Sequence, residues 1–316
     1  MLKIEHLYKG YNKIPVLEDI SLTVKSGEIQ GLIGENSAGK TTLIKCAAGI
    51  YKADRGTITY DDMEIYDNPK VKERVGYVAD YNEYIAGYTV TKMVHLYECF
   101  YERFNKKKFN EYNAIFKIPV GKRISSLSKG QKMRLAFMLE VSKEPDYLIL
   151  DEPTSGLDPV AKAKFFELLI NEVEQRDIGV LISSHNLDGL ERICDSVTMI
   201  HKGKVDRQLS MEDMKSELIR LNVVFEGGAS KKVYEMPQIL KISNVGSIYT
   251  LVVKEYDEMF AAELRKNGAS FIEPMEISLE ELFVVLEENR EGQELEEMQG
   301  EKLNTADAGK QQEGWI

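Results

Sequence analysis

The chain has 316 residues, enough for about two domains, and its 43% apolar and 29% charged residues are ordinary globular values that exclude disorder throughout. Its net charge of −11 disfavours general nucleic-acid binding, which draws its affinity from phosphate neutralisation. No apolar run approaches the roughly 20 residues of a membrane span, and Met1–Tyr8 lacks the pattern of a signal peptide, so the chain is expected to stay in the cytosol.

Residues 1–33 read as strands. Leu2, Ile4 and His6 alternate with Lys3, Glu5 and Leu7, Ile20–Val24 alternates again, and Glu28–Ile33 is a short apolar run ending at Gly34. Lys40–Gly49 predicts a helix stopped by glycine. Strand patterns follow at Thr57–Tyr60 and Val75–Ala79, then a helical stretch over 91–116. Lys129–Lys143 predicts a helix with a broad buried face. Tyr147–Leu150, Ile178–Ser183 and Val197–Ile200 read as strands. Between them lie helices at Pro159–Glu174, with proline in the first turn, and Leu187–Cys194. This alternation argues for an α/β core with a largely parallel sheet.

The texture changes at Met211–Arg220, read as a helix leading out of the core. Strands at Leu221–Phe225, Ile248–Val253 and Ser270–Ile272, with helices at Tyr256–Lys266 and Leu279–Glu287, predict a small α+β module over 221–288. From Glu287 to Ile316 nine acidic residues face three basic ones, and few are large and apolar; 289–316 is expected to be a disordered acidic tail. Cys46, Cys99 and Cys194 are odd in number and widely spaced. They make no disulfide scaffold or CxxC site and are expected as reduced, mostly buried thiols.

The central signal is Gly34-Glu35-Asn36-Ser37-Ala38-Gly39-Lys40-Thr41, which fits GxxxxGK[ST] in every fixed position. A strand precedes it and a helix follows, as the motif demands. Glycines let the backbone bend so that successive N–H groups face phosphate oxygens, and the helix adds its positive N-terminal end. Lys40 is expected on the β- and γ-phosphates, the Thr41 hydroxyl on Mg²⁺, and Thr42 continues the site. A second signal is Tyr147–Glu152, where a buried strand delivers two carboxylates at its C-terminal end, the edge at which open α/β sheets bind ligands. Asp151 is expected to hold Mg²⁺ and Glu152 to act as general base on an attacking water.

Leu127-Ser128-Lys129-Gly130-Gln131 resembles the LSGGQ signature of ABC ATPases, just upstream of the strand ending in Asp151-Glu152. Ser155–Asp158 resembles the family's D-loop, His185 its switch histidine, and Tyr11 its adenine-stacking aromatic. Six motifs in order cover residues 1 to about 220, identified as a P-loop NTPase of ABC ATPase type with a helical subdomain at about 85–142. Ser278–Phe283 resembles the end of ATPases from bacterial drug and bacitracin exporters.

The resemblance implies ATP and Mg²⁺ as ligands, with Ser128, Gly130, Gln131 and Asp158 among the nucleotide-contacting residues. It implies a head-to-tail dimer in which Leu127–Gln131 of one copy covers the ATP of the other. It also implies a separate membrane-spanning permease with this chain on its cytosolic face, export favoured and no nucleic acid. Two alternatives stay open: a soluble ABC ATPase acting on ribosomes or DNA, and a weakly hydrolysing regulatory module.

Three positions depart from the family pattern. Ser37 stands where glycine is usual, at a cost of about 1 kcal/mol if its φ is positive. Lys129 replaces the first signature glycine and is expected to face solvent, with help to γ-phosphate binding across the dimer as the rival. Asp80 stands in place of a loop glutamine and, as a carboxylate, can also ligate Mg²⁺. Lys106–Lys108 is expected to be a solvated helix face, and His6, His95 and His201 have no metal-ligand spacing. Tyr77, Tyr81, Tyr84 and Tyr88 are read as core, with a docking surface as the rival.

Overall fold

The computed structural model describes residues 1–290, apart from the side chains of 215–217; the tail expected over 289–316 therefore lies, from residue 291, outside the described residues. The chain divides into two compact units, the first Met1–Met211 and the second beginning at Glu212.

The first unit opens with β1 (Leu2–Tyr11) and β2 (Ile14–Val24), followed by β3 (Ile29–Ile33), α1 (Lys40–Ala47), β4 (Arg55–Tyr60), β5 (Met63–Glu64), α2 (Pro69–Glu73) and β6 (Val75–Val78). Then come α3 (Val90–Phe100), α4 (Lys106–Phe116), α5 (Lys129–Ser142), β7 (Tyr147–Asp151), α6 (Pro159–Arg176), β8 (Gly179–Ser183), α7 (Leu187–Glu191), β9 (Ser196–His201) and β10 (Lys204–Ser210).

Two sheets result. One is antiparallel in the order β2-β1-β4-β5; the other runs β10-β9-β3-β8-β7-β6, parallel except for β10 at its edge. The parallel sheet meets the expectation. The antiparallel sheet goes beyond it, because alternation in a single strand does not reveal its partner. Strands β3, β7 and β8 are buried along their whole lengths, which is why they read as unbroken apolar runs. The core joins Leu2, Ile4, Leu7 and Ile20 of the antiparallel sheet to Leu43, Ile44, Ile149 and Leu181 around α1.

The predicted alternation of β1 fails at one point. His6 takes φ +48° and the register slips between Ile4 and Leu7, so Leu7 rather than His6 turns inward. This bulge adds one residue to β1 against β2, and further register shifts follow at Lys9 and Gly10. The stretch over 91–116 is two helices: Tyr101 caps α3 in an extended conformation, and the Asn105 side chain caps α4 by accepting from the Lys108 N–H. In α5 the buried Glu140 accepts from the Tyr77 N–H (3.1 Å), the Tyr97 hydroxyl (2.8 Å) and Lys143 Nζ (2.9 Å), tying that helix to β6 and α3.

Lys106–Lys108 is only partly the solvated face expected. Lys108 Nζ reaches the buried Glu172 of α6 at 2.9 Å, and the Tyr112 hydroxyl donates to the same carboxylate. Tyr81 is exposed, whereas the Tyr84 hydroxyl donates to the Lys132 carbonyl (3.0 Å). Cys46 and Cys194 are buried and Cys99 is exposed, all three free.

The second unit takes in most of α8 (Met211–Glu217), then β11 (Ile219–Phe225), α9 (Lys231–Tyr234), β12 (Ile239–Val245), β13 (Ile248–Val253), α10 (Glu258–Lys266), β14 (Ala269–Glu276) and a helix over 279–290. Its antiparallel sheet runs β12-β13-β11-β14. Ile219 and Arg220 already pair in this sheet, so the helix expected to reach Arg220 stops at Glu217. Leu221, Val223 and Phe225 alternate inward against Phe260 and Leu264 of α10. Asp257 caps α10 by accepting from the Phe260 N–H (2.7 Å).

Candidate active site

The loop between β3 and α1 follows from its residue types. Gly39 stands just before α1 with φ +110°, and a Cβ there would sit 2.7 Å from Leu17 Cδ2, so only glycine fits. Ser37 takes φ +69°, the strained value anticipated for a non-glycine residue at that point.

The loop edges a cleft of about 420 Å³ lined by Tyr11, Val16, Asn36, Ser37, Gly39, Lys40, Thr41, Thr42, Asp80, Asp151, Glu152 and His185. Lys40 Nζ donates to the carbonyls of Gly34 (2.6 Å) and Glu35 (2.8 Å), so its ammonium is held inside its own loop. Burial pushes the Lys40 pKa down, opposed by the negative field of Glu152, Asp151 and Glu35.

The two carboxylates arrive as expected at the end of β7. Asp151 Oδ1 accepts from the Ser183 hydroxyl (2.9 Å) and the Thr41 hydroxyl (3.3 Å). Burial raises the Asp151 pKa, and the Ser183 and Thr41 hydrogen bonds work against the rise. Glu152 takes φ +48°, and its Oε2 accepts from the His185 N–H (3.1 Å). Its Oε1 lies 3.2 Å from His185 Nε2 without hydrogen-bond alignment, so this buried oxygen accepts no hydrogen bond among the described residues. Burial raises the Glu152 pKa; the His185 N–H, the His185 ring and Lys40 pull it back. A raised carboxylate with an unoccupied lone pair suits a general base. Thr41 and Asp151 present hard oxygen donors face to face, a donor set that fits Mg²⁺.

Tyr11 lines the cleft at the end of β1, its ring edge-on to Tyr51 at 6.0 Å. Asp80 also lines it. Ser128, Gly130, Gln131 and Asp158 do not. Ser128 and Gln131 form a capping box at the start of α5: the Ser128 hydroxyl accepts from the Gln131 N–H (3.2 Å), and Gln131 Oε1 accepts from the Ser128 N–H (3.0 Å). A Cβ on Gly130 would sit 2.6 Å from the Gly156 carbonyl oxygen, so glycine is obligatory where α5 meets the loop after β7. Asp158 caps α6 by accepting from the Ala161 N–H (2.9 Å), which holds its carboxyl below the usual range. Lys129 does not simply face solvent: its Nζ lies 2.9 Å from both Asp80 Oδ1 and Ser155 Oγ.

Sequence reasoning gave no role to Ser183, Val16 or Tyr51. Ser183 was readable only as part of the run leading to His185. Val16 and Tyr51 are an ordinary valine and tyrosine until β2 and the segment after α1 fold beside Tyr11.

The model of the ABC transporter family matches residues 17–155. The chain is 32% identical over 284 residues to the ABC transporter ATP-binding protein YtrB of Bacillus subtilis (strain 168), covering 90% of this chain and 97% of that protein. It is 29% identical over 218 residues to the bacitracin transport ATP-binding protein BcrA of Bacillus licheniformis, covering 68% of this chain and 71% of that one. Among solved structures, an ATP-binding subunit of an ABC transporter superposes with a TM-score of 0.63 at 28% identity, covering 68% of this chain and 92% of that chain.

Proposed function

The chain belongs to the ABC transporter family as an ATP-binding, ATP-hydrolysing subunit, and we propose that it uses Mg²⁺ with ATP in the cleft described above. Lys40 and the N–H groups of Gly34–Thr42 hold the phosphates; Tyr11 packs on the base. Thr41 and Asp151 hold the cation, with Asp80 as a further carboxylate at the rim. A cation held there would neutralise charge developing on the transferring phosphoryl group. Glu152 takes a proton from the water whose oxygen bonds to the γ-phosphorus as the bond to the departing ADP breaks, and His185, beside it, reaches the γ-phosphate.

Two copies face head to tail. Ser128, Gly130, Gln131 and Asp158 lie outside the cleft of their own chain, which supports their serving a second copy's nucleotide. The N-terminus of α5 brings N–H groups and a positive dipole end to that contact. No described helix is long and apolar enough to cross a membrane. Similarity to ABC transporter ATP-binding proteins supports a membrane-spanning permease as the path of transport, with this chain on its cytosolic face. Similarity to the bacitracin transport protein supports transport as the work coupled to hydrolysis. The ATPase part spans Met1–Met211, with its helical region at about 85–142, and the accessory module begins at Glu212 rather than at 221. The net charge of −11 supports the absence of a nucleic-acid partner.

The observation that carries this reading is the convergence of Lys40, Thr41, Asp151, Glu152 and His185 on one cleft. Phosphate release by the purified chain, measured with ATP alone and with ATP plus Mg²⁺, tests it. Turnover that needs the cation is expected; cation-independent turnover would remove Mg²⁺ from the account.

A further inference from the structure

Asp80 and Lys129, two of the three departures from the family pattern, are bonded to each other. Lys129 Nζ lies 2.9 Å from Asp80 Oδ1 and 2.9 Å from Ser155 Oγ. The lysine stem runs over Gly156, where an added Cβ would lie 3.4 Å from Lys129 Cγ and Cδ. One ammonium thus gathers three segments: the turn after β6, the start of α5 and the loop after β7.

The two partners differ in what else they touch. Asp80 lines the cleft with Asp151 and Glu152, whereas Lys129 does not. Without a cation beside it, Asp80 would add a third negative charge to a site that must admit a triphosphate. Both side chains are about half exposed, 50% for Lys129 and 47% for Asp80. Such a pair contributes little to fold stability. Its consequence falls on whatever charge approaches the cleft.

We propose that Lys129 is a positioning residue for nucleotide, acting through Asp80: it neutralises that carboxylate and holds it at the cleft rim, so that the triphosphate enters without meeting an unpaired third acid. This rests on the reading of the cleft as an ATP site.

The test is a double-mutant cycle on ATP affinity, measured by calorimetry on the full chain in EDTA at low salt, so that no divalent cation competes for Asp80. Lys129→Met in the Asp80 background is expected to weaken ATP binding by up to about fivefold, the reach of an exposed charge pair. In the Asp80→Asn background the same change should have no effect, and Lys129→Arg should keep wild-type affinity in either. At about 1 M salt, where charges are screened beyond about 3 Å, the difference should vanish. Lys129→Gln serves if Lys129→Met does not fold. Equal weakening in both backgrounds, or none in either, would overturn the proposal. Wild-type binding in the same buffer, and its loss in Lys40→Ala, separately tests the ATP-site reading.

Discussion

The backbone N–H of His185 donates to Glu152 Oε2 at 3.1 Å, so the histidine and the carboxylate at the end of β7 are placed as one unit. The bond uses main chain, so it survives substitution of the ring. The ring itself, 3.2 Å from Oε1, acts on the charge of the carboxylate.

This separates position from electrostatics in His185→Ala. Burial raises the Glu152 pKa and the His185 ring opposes the rise. Without the ring, Glu152 stays protonated to higher pH, and a protonated base cannot accept from water. The acid limb of the kcat profile should therefore move to higher pH. An unmoved limb in the pH–rate profile would show that the ring does not act on Glu152.

Lys40→Ala should weaken ATP binding at least tenfold, since a hydrogen bond to a charged group contributes about 1.5–3 kcal/mol. Calorimetry checks it. Near wild-type affinity would defeat the phosphate-loop assignment.

Ser183→Ala removes a hydrogen bond that holds the Asp151 pKa down against burial. The Asp151 carboxyl then keeps its proton to higher pH, where that proton competes with Mg²⁺. The Mg²⁺ needed for half-maximal ATPase rate should rise more at pH 6 than at pH 8. Titrations at the two pH values decide it; equal shifts would place the effect elsewhere.

Glu172 is 3% exposed and is held by Lys108, Arg176 and the Tyr112 hydroxyl. Glu172→Ala leaves Lys108, itself only 16% exposed, without its anion. Breaking such a pair costs about 3–5 kcal/mol. At about 2–4 °C per kcal/mol for a unit of this size, the melting temperature should fall by roughly 6–20 °C. A change under about 2 °C by calorimetry would show that the network adds nothing.

The phosphate loop and the carboxylate strand were legible because their chemistry is local. Gly39, Lys40 and Thr41 are adjacent in sequence, and β7 declares itself by apolar residues ending in two acids. What stayed hidden depends on neighbours distant in sequence. Leu7 turns inward only because His6 bulges against β2. Lys108 reads as one of three surface lysines until α4 folds over Glu172. Asp80 and Lys129 each look like an isolated oddity, since nothing in the forty-eight positions between them signals that one ammonium will join them. The same holds for Ser183, whose part in the site is a hydrogen bond across two parallel strands.

The central claim, hydrolysis in a cleft completed by a second copy, is tested most directly by Glu152→Gln. The amide keeps the size of the side chain and cannot take a proton from water, so bound ATP should persist and hold two chains together. Light scattering with ATP and Mg²⁺ is expected to show a doubling of mass, reversed when nucleotide is removed. A variant that binds ATP and stays monomeric would contradict the account.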